Sequence, residues 1–294
     1  MFPDTTFKQY LLDKLSQGNI PYSCNIKKNS KGETFRFLKV EPQQSHSLVV
    51  YLHGTGDDIF YPGSLFISHL IQNNCAVLSF DLDGHGRNST TKLSSKSFKS
   101  FLLDKWTWIR EEAKGRKIFL LGHSLGGTLA LSTALSNDLN VHGVIGVGSP
   151  FNFKTPSPLN MLKEIYQSLS PEFATNLGKF SPKTLLPAIG PFKRDEFPIR
   201  LDRSFHPKEN YVEVVQKIIL ELTPSSCKPS HIPVLLVLGA QDSIAPLSDA
   251  LKWLDFYPEG HHIILQRTTH FLLAFRQETA TQLIRWINKE VRKT

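Results

Sequence analysis

Cysteine is scarce in this 294-residue chain: Cys24, Cys75 and Cys227 are the whole complement, and no two form a C-x-x-C pair. An odd, scattered set excludes a disulfide framework and offers no zinc-ligand spacing. Cys75 lies in an apolar stretch and reads as a small core hydrophobe of a protein kept in a reducing compartment. Long apolar runs are also missing, and none approaches the roughly 18 residues of a membrane-spanning helix. The opening MFPDTTFKQYLLDKL is interrupted by Asp4 and Lys8, so it lacks the basic-then-apolar order of a signal peptide. These absences lead to the expectation of a cytoplasmic protein. Charge of one sign is in excess, at +8 net, yet no run of five like charges occurs. The densest basic groups are Lys27, Lys28 and Lys31, and Arg285, Lys289, Arg292 and Lys293. Without a nucleic-acid motif beside them they read as a solvated surface and the basic last turns of a C-terminal helix. No nucleic-acid partner is expected.

What is present is a globular composition, with 40% hydrophobic residues, enough for a sizeable core. Phe7, Leu11 and Leu15 fall at helical spacing. Peripheral membrane contact by this stripe is one reading, and packing on its own domain is the favoured one. Residues 22–42 then read as two strands joined by a turn at Asn29–Gly32. Six short apolar runs come next, at Leu48–Leu52, Ala76–Phe80, Ile118–Leu121, Val144–Val147, Val234–Leu238 and His262–Leu265. Each is apolar throughout, as a strand buried on both faces must be. Helical patterns alternate with them, at Ser64–Gln72, Phe98–Ala113, Leu125–Leu135, Leu247–Phe256 and Phe275–Val291. The fold class expected is therefore α/β, a mostly parallel sheet with helices on both faces.

The alternation breaks between Phe151 and about Ser230. This span holds ten of the 18 prolines and seven phenylalanines, with helical stretches expected at Leu159–Leu169 and Glu209–Leu222. It reads as a lid inserted into a core formed by residues 1–150 and 231–294.

Within this frame, IFLLGHSLGG (residues 118–127) puts a serine among glycines between a strand and a helix. A P-loop would require a lysine and a hydroxyl residue after its last glycine, and the dinucleotide fingerprint would sit after the first strand; neither pattern is present. Gly122-His123-Ser124-Leu125-Gly126 does match G-x-S-x-G, a sharp turn in which Gly122 and Gly126 leave room for an exposed nucleophile. A serine hydroxyl needs a base and an orienting acid, expected in the order Ser, Asp or Glu, His. Asp242 comes just after one late strand and His270 just after the next, both at the carboxyl ends where such sites form. His261 and His262 lie at the wrong end of their strand, His123 is expected to orient or pack, and Asp249 and Asp255 are expected to be solvated. His53-Gly54-Thr55-Gly56 comes after the first parallel strand. Its Gly54 would let the Thr55 amide join that of Leu125 in holding a developing oxyanion.

These residues resemble the α/β-hydrolases. HGTG, GHSLGG, GAQD and a late histidine occur in that family's order, and FDLDGHGRNS resembles a turn of the subgroup with monoacylglycerol lipases, lysophospholipases and prolyl-type aminopeptidases. The resemblance implies a serine hydrolase with Ser124, Asp242 and His270 as its triad, acting on a small-molecule acyl ester such as a monoglyceride or lysolipid, with no metal or organic cofactor. Asp81, Asp83 and His85 then become turn residues. Phe151, Phe153, Phe173, Phe180, Phe192, Phe197 and Phe205 either line an acyl pocket or form the lid's own core. A peptidase or amidase on the same triad is the first alternative, with Glu164, Glu172, Asp195 or Glu196 holding a substrate amine. A cofactor-free lyase and a non-catalytic binding protein are the others.

Overall fold

A computed structural model describes residues 3–28, 32, 34–86, 98, 100–136, 139–153, 157, 159–160, 164 and 211–293. After helix α1 (Pro3–Gln17), strands β1 (Tyr22–Lys28) and β2 (Thr34–Val40) pair antiparallel, from Tyr22 opposite Val40 to Lys28 opposite Thr34. The parallel sheet consists of β3 (Ser47–Leu52), β4 (Cys75–Phe80), β5 (Lys117–His123), β6 (Gly143–Val147), β7 (Val234–Gly239) and β8 (His261–Leu265). The order across all eight strands is β1-β2-β4-β3-β5-β6-β7-β8, and β2 joins β4 antiparallel. The six apolar runs are thus strands, each within a residue or two of its expected bounds.

Helices α2 (Gly63–Gln72), α3 (Trp106–Ala113), α4 (Leu125–Ser136), α5 (Tyr211–Leu222), α6 (Leu247–Ala250), α7 (His270–Leu273) and α8 (Gln277–Val291) lie between and after these strands. Strand pleat divides the core in two. Val49 and Tyr51 face a cluster with Phe7, Phe66, Phe119 and Trp286, whereas Leu48, Val50 and Leu52 face one with Ile109, Leu129, Val214 and Trp253. Phe7, Leu11 and Leu15 are fully buried, so the apolar stripe of α1 is covered by its own domain. None of the helices among the described residues is long and apolar enough to cross a membrane.

Two expected helices are interrupted. The segment from Phe98 runs through a 3-10 turn at Leu103–Lys105 before α3 begins. Here the Lys105 ammonium donates to Phe101 O (3.2 Å) while the Lys105 backbone amide turns to Leu102 O. The side chain thus takes the carbonyl that an α-helical amide would use. Leu247–Phe256 is likewise α6 and then a 3-10 turn, Leu251–Asp255.

Side-chain tethers fix helix and chain ends near the sheet. Asp249, expected to be solvated, instead accepts from the amides of Phe151 (3.0 Å) and Asn152 (2.7 Å). Thr223, just past α5, donates from its hydroxyl to Phe151 O at 2.5 Å. The buried Tyr257 hydroxyl donates to Leu131 O of α4 at 2.6 Å. Tyr257→Phe removes that donor with little change in shape and is expected to cost about 1 kcal/mol, read as a lower urea midpoint at unchanged slope.

Candidate active site

Ser124 sits between β5 and α4 with φ 52°, a left-handed conformation that costs a non-glycine residue about 1–3 kcal/mol and is held by its surroundings. Its amide donates to Val147 O of β6 (2.9 Å), and its carbonyl accepts from Gly127 and Thr128 in the first turn of α4. The turn closes so tightly that a β-carbon on Gly122 would collide with the backbone of Gly126 and Gly127. One on Gly126 would collide with the carbonyls of Leu52 and His53.

The three residues expected to act together do meet. His270 Nε2 lies 2.9 Å from Ser124 Oγ, and His270 Nδ1 lies 2.8 Å from Asp242 Oδ2. A carboxylate can only accept, so Nδ1 carries the proton and Nε2 offers its lone pair to the serine hydroxyl. Asp242 is oriented through its other oxygen, which accepts from the amides of Ile244 (2.9 Å) and Ala245 (2.6 Å). Ser124 is 8% exposed and His270 3%, so the group lies in a largely dry environment. Burial disfavours the charged imidazole. The Asp242 carboxylate, with Glu164 and Asp57 adding to it, outweighs burial and raises the His270 pKa above its ordinary 6.5.

The HGTG loop lies against this turn. A β-carbon on Gly54 would come within 3.3 Å of Ser124 Cβ and 3.1 Å of His123 Nδ1. The loop is held from both sides. Gly54 N donates to Asp57 Oδ2 (3.1 Å), and His53 Nδ1 donates to Gly54 O (2.8 Å) while its Nε2 accepts from Leu82 N (2.9 Å). Leu125 is the first residue of α4, where amides have no carbonyl one turn back. His123 is buried, with its ring 5.4 Å from that of His270 and its Nδ1 3.7 Å from Asp57 Oδ2.

Behind the loop, Arg36 of β2 donates to both oxygens of Asp81 (2.5 and 3.1 Å) and to Asp58 (3.3 Å). Asp81 also accepts from Ile59 N, and Asp58 from the amides of Phe60 and Tyr61. Asp81, expected as a turn residue, is a buried partner of Arg36 that follows β4. His85 donates from Nδ1 to Asp83 O (2.9 Å) and packs edge-on against His53.

The remaining expectations separate. Phe151 packs on Trp253 and Phe256, with ring centroids 5.1 and 5.8 Å away. Phe153 lines a cavity with Asn152, Glu213, Gln216, Lys217 and Leu220. Phe173, Phe180, Phe192, Phe197 and Phe205 lie outside the described residues, as do Glu172, Asp195 and Glu196. Glu164, offered by the sequence as a possible ligand for a substrate amine, has both carboxylate oxygens engaged by backbone. Oε1 accepts from Ser243 N (2.7 Å) and Oε2 from His270 N (2.9 Å). Neither this contact nor the tether of Asp249 to Phe151 and Asn152 leaves a sequence signal, because these bonds run to main-chain amides far along the chain. Among the described residues, no three His, Cys, Asp or Glu side chains are grouped to hold a metal ion.

Residues 43–266 match the family described as serine aminopeptidase, S33. A Caenorhabditis elegans relative, abhydrolase domain-containing protein abhd-5.2, is 35% identical over 112 residues, covering 37% of this chain and 24% of its own. A proline iminopeptidase of Saccharolobus solfataricus is 26% identical over 180 residues, covering 60% of this chain and 55% of its own. The chain therefore spans about a quarter to a half of the length of the curated relatives it matches. An esterase structure from Pyrococcus furiosus superposes with a TM-score of 0.62 at 14% identity, covering 94% of each chain.

Proposed function

The chain belongs to the serine aminopeptidase S33 family of the α/β-hydrolase superfamily, and from that premise we propose that it is a serine hydrolase cleaving carboxylic esters. One observation carries the reading: the unbroken chain of contacts from Ser124 Oγ through His270 to Asp242, set at a strained turn beside a helix N-terminus. In the reaction proposed, His270 Nε2 takes the Ser124 proton as Oγ attacks the substrate carbonyl, and Asp242 stabilises the imidazolium that forms. The amides of Leu125 and Thr55 hold the oxyanion. The tetrahedral intermediate collapses, His270 returns the proton to the leaving alcohol, and an acyl-enzyme remains. His270 then draws a proton from water as the water oxygen attacks the acyl carbon, and returns that proton to Ser124 Oγ as the ester bond to the serine breaks and the acid leaves. An apolar acyl group, as in a monoglyceride or lysolipid, is the substrate class proposed. In this reading the lid lies within residues 151–230, over a core of residues 1–150 and 231–294 to which α5 also contributes Val214, Ile218 and Leu222, and Phe151 and Phe153 stand at its edge.

The family's description and the iminopeptidase relative favour a second reading, an aminopeptidase on the same triad. The engagement of both Glu164 oxygens counts against that residue as the amine ligand.

A fluorophosphonate probe tests the first step: wild type is expected to be labelled and Ser124→Ala is not. An unlabelled wild type sinks the hydrolase reading. Turnover of p-nitrophenyl esters, with a preference for longer chains, supports the ester assignment; turnover confined to aminoacyl arylamides replaces it with the peptidase. The raised His270 pKa gives a further expectation. His270 must be neutral to accept the serine proton, so kcat/KM is expected to rise with pH through an inflection above the ordinary histidine value of 6.5. An inflection below that value would contradict the electrostatic account.

A further inference from the structure

Glu164 departs from what a surface acid does. It is 1% exposed, and its carboxylate bridges two backbone amides from different parts of the chain, 79 and 106 residues away. Ser243 is the residue after Asp242, and the other amide belongs to His270 itself. The loops after β7 and β8 carry the orienting acid and the base, and one side chain ties them together. A buried carboxylate is costly unless it is hydrogen-bonded, and two charge-assisted bonds to amides are what offset that cost.

Resting on the triad reading above, we propose that Glu164 is a positioning residue, which sets the separation of the Asp242 and His270 loops and adds a second carboxylate charge to the surroundings of His270. Three carboxylates act on the imidazole, those of Asp242, Glu164 and Asp57, and His123 is the other titratable ring packed against it. Burial and the Asp242 charge push the Glu164 pKa up, while His270 and the Ser243 amide draw it back without cancelling the rise.

The consequence has two separable parts. The bridge keeps Nδ1 of His270 aligned on Asp242, which governs the plateau rate. The charge favours the imidazolium, which governs where the acid limb lies. Glu164→Gln keeps one acceptor, sets its amide nitrogen against the second N–H and removes the charge. Glu164→Asp keeps the charge but is one methylene too short to span both amides.

The measurement is the second-order rate of fluorophosphonate labelling against pH, with ester kinetics alongside. For Glu164→Gln the acid limb is expected to move down by about one pH unit, and plateau kcat/KM is expected to fall about tenfold or more through kcat rather than KM. For Glu164→Asp the limb stays near that of wild type while the plateau falls. A residue that merely stabilises the fold would lower the unfolding midpoint and leave the limb in place. A labelled wild type with an unmoved limb in Glu164→Gln overturns the charge role, and a full plateau rate in Glu164→Asp overturns the bridge. An unlabelled wild type brings down the triad reading and this inference with it. If Glu164→Gln does not fold, the Glu164→Asp plateau decides the bridge, and the acid limb of Glu164→Ala, expected to lie below that of wild type, decides the charge.

Discussion

Ser124→Ala is expected to lower ester kcat/KM by about 10⁵- to 10⁶-fold and to abolish covalent labelling. The magnitude reflects how the three groups share one event. In the proposed reaction the hydroxyl is a weak nucleophile until Nε2 of His270, 2.9 Å away, accepts its proton, and the imidazole is a useful base only while Asp242 fixes its tautomer. Removing any member of such a unit disables the rest, so losses do not add. His270→Ala is expected to cost about as much as Ser124→Ala, and the double variant is expected to be little worse than either. What remains would come from the oxyanion amides proposed at Leu125 and Thr55, which neither substitution removes. Losses that multiply in the double variant would mean the two residues act in separate steps, against the geometry described.

Arg36→Met is expected to destabilise the fold by about 3–5 kcal/mol, measured by urea unfolding. The guanidinium serves two buried carboxylates at once, Asp81 and Asp58. Methionine fills much of the same space and leaves both charges without their cation. The cost is that of the stranded anions, not of a lost attraction, and this leads to two further outcomes. Arg36→Met/Asp81→Asn is expected to recover part of the loss, because a neutral amide is cheaper to bury. The deficit of the single variant is also expected to shrink as pH falls. Burial, with the nearby Asp58 charge, already raises the folded pKa of Asp81 against the pull of Arg36; without the guanidinium the rise is larger, so protonation at low pH favours the folded variant more than the folded wild type. A deficit independent of pH would point to lost packing against Phe60, over which the guanidinium lies.

Much of this architecture is legible in the sequence because buried parallel strands have a simple signature. A run such as Leu48–Leu52 has no polar position to offer water, and each site residue then falls at the carboxyl end of such a run. Ser124, Asp242 and His270 could be found by looking just past the last residue of each strand. Phe98–Ala113 misleads for a definite reason. Its apolar spacing suits a continuous helix, but the Lys105 side chain claims the Phe101 carbonyl, an event with no periodicity. Glu164 and Asp249 stay hidden for another reason. Each bonds to backbone amides, which nearly every residue carries, so sequence separation and residue type give nothing to search for. An acid in a Phe- and Pro-rich span suggests a ligand for substrate, and only the fold reveals that it faces the protein's own loops.

The meeting of Phe151 with Thr223, 72 residues apart along the chain, has a consequence for how this protein can change. Once the two ends of a loop are pinned, the entropy of closing it grows only with the logarithm of its length, by about 0.6 kcal/mol for each doubling. Insertions and deletions between Phe151 and the start of α5 are therefore expected to be cheap for the core, whereas α5 has to stay, because its Val214, Ile218 and Leu222 belong to that core. In the proposed reading the stretch ahead of α5 is a cassette, open to drift or to grafting from another hydrolase, while the sheet that carries Ser124 is left undisturbed. One condition travels with every exchange: the incoming segment has to bring an acid that reaches the amides of Ser243 and His270.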